Sequence, residues 1–163
     1  MIEEILNAIS KLSFFTIVNP DEAGVHLRGG RVHRIIGEGL HWQYPVLDEI
    51  QTIPTAEQAI DLPNQTLTTK DGKTVNISGT IRYEVVCPEK TLFNVADYDE
   101  SLQTLSMECI GKETPLIETG QTTDILRNRV RNLLENETYQ WGINIVEVGI
   151  TDYAKTIPLR LFQ

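Results

Sequence analysis

The sequence predicts an α+β fold: a twisted, mostly antiparallel β-sheet with amphipathic helices packed on one side. Three observations carry this expectation. Residues 70–86, KDGKTVNISGTIRYEVV, open on an Asp71-Gly72 turn and then alternate, with Val75, Ile77, Ile81, Tyr83 and Val85 on one side and Thr74, Asn76, Ser78, Thr80, Arg82 and Glu84 on the other. That period of two is a long strand with one buried and one wet face. Gly29-Gly30 joins two short β-prone runs, the signal of a hairpin. After Val86 the apolar spacing changes to the helical period, and a single β-like run closes the chain. Strands, then helices, then one strand is the order of an α+β sheet, and not of a βαβ series. The other strands read most simply as paired to residues 74–86, with the helices laid over its apolar face.

Composition sets the outer limits. The 163 residues with 40% hydrophobic content suit one compact domain with a real core. A formal net charge of -9 repels phosphate backbones, which argues against nucleic acid as a partner, and equally against docking that depends on anionic lipid. The two cysteines, Cys87 and Cys109, stand in no metal-spaced motif and read as small buried hydrophobes of a reducing compartment. Glu3 and Glu4 occupy the place where a secretory leader carries positive charge, so no such leader is expected. No apolar run approaches the roughly 18 residues needed to span a bilayer.

In chain order, Ile2, Ile5, Leu6, Ile9 and Leu12 keep one face of a helix over residues 2–12, and Phe14, Phe15, Ile17 and Val18 extend the apolar character. Two readings compete for this segment. One is a helix packed on its own domain or on a second copy. The other is a helix lying in a membrane interface with Phe14 and Phe15 as a wedge, although its polar face is acidic. The run 14–18 reads equally as the end of such an element or as a first strand. Asn19-Pro20-Asp21-Glu22 is a turn, 23–28 and 31–36 flank the Gly-Gly hairpin, and 37–45 reads as an ordered loop rich in aromatics. Residues 48–54 and 59–62 are strands, and 65–69 lead into the central one. Pro88 opens a short helix at its first turn. Asp97 or Asp99 caps a second helix near 99–113, on which Leu102, Leu105, Cys109 and Ile110 keep helical spacing before Thr114-Pro115 breaks it. Thr122 or Thr123 caps a third near 123–138, with Leu126, Val130, Leu133 and Leu134 inward and Arg127, Arg129 and Arg131 on a solvated face. Residues 143–152 form the last strand, and its apolar phase slips between Ile145 and Val146, which predicts a bulge or a strand covered on both faces.

Candidate chemistry is sparse. His26 and His33 fall on consecutive strands and approach each other across the hairpin, but two histidines without a third ligand make a weak metal pair. The glycines at 29, 37 and 39 fit neither a phosphate loop nor GxGxxG, and no GxSxG or HExxH occurs. Asp61 in AIDLP is the one carboxylate inside an apolar run, and it reads as a strand-end or turn residue. We therefore expect no catalytic, cofactor-binding or metal-ligating residues and no cofactor.

Four stretches carry a family resemblance. The segment 39–45, GLHWQYP, resembles the "GPGLhf..P" loop of the SPFH or band 7 family, which includes stomatins, prohibitins, flotillins and HflK/C-like proteins. GVHLRGGRV resembles that family's first hairpin, TTKDG followed by VNISGTIRY resembles its "LTKDgv.v.v.g.v.yrV" segment, and WGI with Val146, Val148 and Ile150 resembles its "WGI.v..v.I.di..P" ending. The match runs over roughly residues 14–158. The resemblance implies a non-enzymatic scaffold of homo-oligomers, cytoplasmic and peripheral on the membrane, that organises membrane regions or regulates a bound membrane protease or channel. On that basis residues 1–13 are an N-terminal amphipathic helix serving membrane contact or self-association. Residues 14–163 are an SPFH/band 7-like domain without the usual C-terminal coiled coil. The expected membrane- or partner-contacting residues are Ile2, Ile5, Leu6, Ile9, Leu12, Phe14 and Phe15. A soluble protein-interaction module without lipid contact is the alternative, and a small-substrate enzyme is a third possibility that no residue constellation favours.

Overall fold

The computed structural model describes residues 14–118 and 123–155. Among the described residues eight strands and three α-helices follow one another as β1 (Phe15–Val18), β2 (Glu22–Arg28), β3 (Arg31–Ile36), β4 (Gly39–Trp42), β5 (Asp48–Pro54), β6 (Gln58–Thr68), β7 (Thr74–Val85), α1 (Pro88–Asn94), α2 (Tyr98–Glu113), α3 (Thr123–Thr138) and β8 (Ile143–Lys155). All strand pairings are antiparallel, and the α+β expectation holds. The anticipated helix over residues 2–12 lies outside the described residues.

The alternation of β7 is realised in full. Val75, Ile77, Gly79, Ile81, Tyr83 and Val85 are all buried, because α2 and α3 cover that face. Leu102, Cys109 and Ile110 from α2 and Leu126, Val130 and Leu134 from α3 close the core. Asp97 caps α2 by accepting the Glu100 N–H at 3.0 Å, satisfying one of the helix's free donors. The slipped phase in the last strand is a bulge: Tyr83 faces Ile145 and Arg82 faces Glu147, so Val146 has no opposite number. At Gly79 the β7–β8 pairing leaves no room for a side chain, since a Cβ there would lie 2.4 Å from the Gly149 carbonyl oxygen.

Four sequence expectations need correction. The strands do not all pair to β7. Only β6 and β8 do, while β3-β2-β5 form a second sheet and β1-β4 a separate two-stranded ribbon. The presumed loop 37–45 contains β4, whose backbone hydrogen bonds go to β1, the strand into which residues 15–18 resolve. The run 65–69 is no lead-in, because β6 continues through a register shift between Leu62 and Gln65. Asp61 is no strand-end or turn residue: it sits mid-strand opposite Thr80, exposed, and accepts the Thr80 hydroxyl at 3.1 Å.

Candidate functional site

The ribbon of β1 and β4 sorts its side chains unusually. Directly paired residues share a face, so Phe15 with Trp42 and Ile17 with Leu40 line one side, and Val18 with Gly39 the other. The Val18 side is inward: Val18 is 1% exposed and packs near Ile36 and Gly24. The opposite side is apolar and open, with Phe15 49%, Ile17 70%, Leu40 65% and Trp42 50% exposed. Phe14 and Tyr44 extend it through ring contacts with Trp42, and Val46 and Leu47 of the following loop are exposed as well. Trp42 is the hub, with ring centroids 5.8 Å from Phe14, 4.7 Å from Phe15 and 6.3 Å from Tyr44. Residues 14–18 and 39–47 carry no Asp, Glu, Lys or Arg in a chain that is 23% charged. An exposed, uncharged apolar patch of this kind makes the ribbon the candidate contact surface among the described residues.

The loop at the tip is shaped by a buried carboxylate. The Asp48 side chain is 1% exposed. It accepts Arg28 Nε at 2.8 Å and Arg28 Nη2 at 3.1 Å, and also the Tyr44 backbone N–H at 3.0 Å. His26 Nε2 lies 3.2 Å from the same carboxylate but off the line of a hydrogen bond. The Arg28 guanidinium, helped by the Tyr44 N–H, holds Asp48 well below the usual carboxylate range, against the opposing effect of burial. Between these anchors Val46 adopts φ 77°, a conformation unfavourable for a β-branched residue, and is 97% exposed. His26 and His33 do meet, with ring centroids 5.5 Å apart, because β3 bulges at His33. Among the described residues no group of three or more His, Cys, Asp or Glu is placed to hold a metal.

Elsewhere, a cleft of about 480 Å³ lies between α1, α3 and β8, lined by Val86, Cys87, Lys90, Tyr139 and Ile145 among others. It is mostly apolar, and none of the side-chain hydrogen bonds among the described residues joins a nucleophile to a base there. Burial raises the Cys109 thiol, which keeps it unreactive. Arg127, Arg129 and Arg131 pair with Asp124, Glu113 and Glu135, as expected of a solvated face.

Of the seven contact residues expected from the sequence, Phe14 and Phe15 stand on the open side of the ribbon. Ile2, Ile5, Leu6, Ile9 and Leu12 lie outside the described residues. Sequence reasoning missed Ile17, Leu40, Trp42, Tyr44, Val46 and Leu47 as members of the same surface. The signal was present in the charge-free run 39–47. What was lacking was the pairing that brings that run beside Phe15.

Comparison with known proteins finds relatives of this sequence. The sequence model described as "SPFH domain / Band 7 family" matches residues 16–155. An uncharacterized protein of Archaeoglobus fulgidus is 32% identical over 153 residues, covering 91% of this chain and 61% of its own length. A stomatin homolog of Pyrococcus horikoshii is 29% identical over 144 residues, 86% of this chain and 54% of the relative. A putative band 7 family protein of Acanthamoeba polyphaga mimivirus is 29% identical over 134 residues, 79% of this chain and 44% of the relative.

Proposed function

The chain belongs to the SPFH domain / Band 7 family, and from that premise we propose that it is a non-enzymatic scaffold domain that docks peripherally on the cytoplasmic face of a membrane. In the full assembly it associates with further copies and organises membrane regions or regulates a bound membrane protein such as a protease or channel. The observation that carries the docking is the open apolar side of the β1–β4 ribbon. Trp42 and Tyr44 are the residue types that settle at the headgroup boundary, where an apolar ring and a polar N–H or O–H are both satisfied, and the exposed rings of Phe14 and Phe15 add purely apolar area beside them. Full burial of one such side chain contributes roughly 1.5–3 kcal/mol, and interfacial insertion is shallower. No helix among the described residues is long and apolar enough to cross a membrane. Attachment by this surface needs none. Ile2, Ile5, Leu6, Ile9 and Leu12 would add to the same contact, since they precede Phe14 directly in the chain.

Flotation with phosphatidylcholine vesicles tests the reading. The wild-type chain is expected to float, with little gain from added anionic lipid, because the patch is uncharged and the whole chain is acidic. Ile17→Ser with Trp42→Ser is expected to abolish flotation while leaving the thermal melt within a few degrees of wild type. A wild-type chain that stays in solution beside vesicles selects instead the soluble protein-interaction module.

A further inference from the structure

The loop at the tip of the ribbon holds an arrangement that docking alone does not explain. A strained, β-branched residue is presented almost wholly to solvent, and a buried carboxylate is spent on the turn beneath it. Val46 has φ 77° and is 97% exposed. Local strain persists only where the surroundings over-determine it. Here the surroundings are identifiable. The Asp48 N–H donates to the Tyr44 carbonyl oxygen at 2.8 Å and the Leu47 N–H donates to it at 3.2 Å, while the Gly29 N–H donates to the Leu47 carbonyl at 2.8 Å. Those bonds close the turn, and the Asp48 carboxylate locks it by accepting the Tyr44 N–H from the other side. Arg28 grips the carboxylate with two parallel bonds, a geometry that fixes direction as well as distance. The Arg28 guanidinium carbon also lies 5.8 Å from the Tyr44 ring centroid. His26, 2% exposed and 3.2 Å away, walls the carboxylate from below.

We propose that Asp48, gripped by Arg28, is the positioning residue of the docking tip: it holds the 44–47 turn in the strained form that presents Val46 and Leu47 to a zwitterionic lipid surface. This rests on the docking reading above, but the latch itself has a readout without lipid. Lipid is the occupant because residues 44–47 carry no charged side chain to match a charged partner, the one cation beside them, Arg28, is already paired with Asp48, and Tyr44 joins the tip to the Trp42 hub of the ribbon at 6.3 Å. Strain at Val46 then has a use. A glycine would adopt that φ freely but would offer the bilayer no side chain.

The test uses the whole chain, hydrogen exchange and phosphatidylcholine vesicles. Asp48→Asn keeps an oxygen near Tyr44 but removes the charge that Arg28 grips. It is expected to speed exchange of the Leu47 and Asp48-site amides about tenfold while leaving β7 amides unchanged, and to weaken vesicle partition several-fold. Arg28→Gln, at a half-exposed side chain, is expected to do the same and carries the test if Asp48→Asn fails to fold. Val46→Gly is expected to raise the melting temperature and yet weaken partition, a pair of opposite shifts that a merely structural turn would not produce. Unchanged exchange in Arg28→Gln, or altered exchange with partition intact, overturns the proposal. If the wild type does not bind vesicles but both latch variants show the faster exchange, the latch stands and the docking reading falls.

Discussion

The β6-β7-β8 sheet and the β1–β4 ribbon are both antiparallel and both rich in isoleucine, leucine and aromatics, yet they use them in opposite ways. In the larger sheet Ile77, Ile81 and Tyr83 are wholly buried under two helices. In the ribbon Ile17, Leu40 and Trp42 face outward, while Val18 turns in and is buried. Residue type does not separate the two cases. The covering layer does: α2 and α3 lie over one, and none of the described elements lies over the other. An isolated two-stranded ribbon is marginal in water, so this one depends on Val18 against Ile36 and on the turn that Asp48 holds. The second sheet, β3-β2-β5, stands between the two extremes. Its central strand buries Gly24, Val25, His26 and Leu27 in succession, covered on both faces, which no alternation reveals.

The contrast breaks most visibly at paired isoleucines. Ile81→Ala is expected to cost about 2–5 kcal/mol in urea melts, because it opens a cavity under α2 and α3. Ile17→Ala is expected to stay within about 0.5 kcal/mol. Comparable losses at both sites would show that the ribbon's open side is covered after all. A smaller effect is expected at Gly79→Ala, about 1–3 kcal/mol, since the new methyl meets the Gly149 carbonyl at 2.4 Å and the two strands must part. Its signature is loss of amide protection along β8 with the ribbon unchanged.

The smallest expected effect is a pH dependence confined to the larger core. Burial pushes the Tyr83 hydroxyl well above the ordinary phenol range, and its hydrogen bond to Asp99 adds to that. A raised folded-state value means that this contribution is complete below the unfolded value, about pH 10, and is lost as pH rises from there toward the folded value. Chemical denaturation between pH 9 and 11 should show a decline of up to about 1.4 kcal/mol per pH unit beyond pH 10, missing from that residue's share in Tyr83→Phe. An identical decline in the variant would assign the effect to other groups. At the acid end the sign reverses for Asp48. Its depressed value means that its contribution is complete above the unfolded value, about pH 4, and is lost as pH falls from there toward the folded value, so the tip should hold its form down to pH 4.

What the sequence determined by itself was everything written in short-range code. The period of two over β7 named the five side chains that are buried on its apolar face, and Asp71-Gly72 and Gly29-Gly30 marked turns that do carry glycine at positive φ. Asp97 announced its helix, and the broken phase near Val146 announced the bulge. Each of these depends on neighbours within a turn or two of chain, so composition and spacing record it. The partition into three sheets, the ribbon and the latch were decided only in three dimensions. β4 is four residues long, too short for any period to register, and is a strand because Phe15–Val18 returns to supply its hydrogen bonds. Asp48 looks like any aspartate at the start of a strand until Arg28, on another strand of the sheet, closes on it. Whether a run of apolar side chains becomes core or docking surface depends on which element folds over it, and that is set by contacts between residues far apart in the chain.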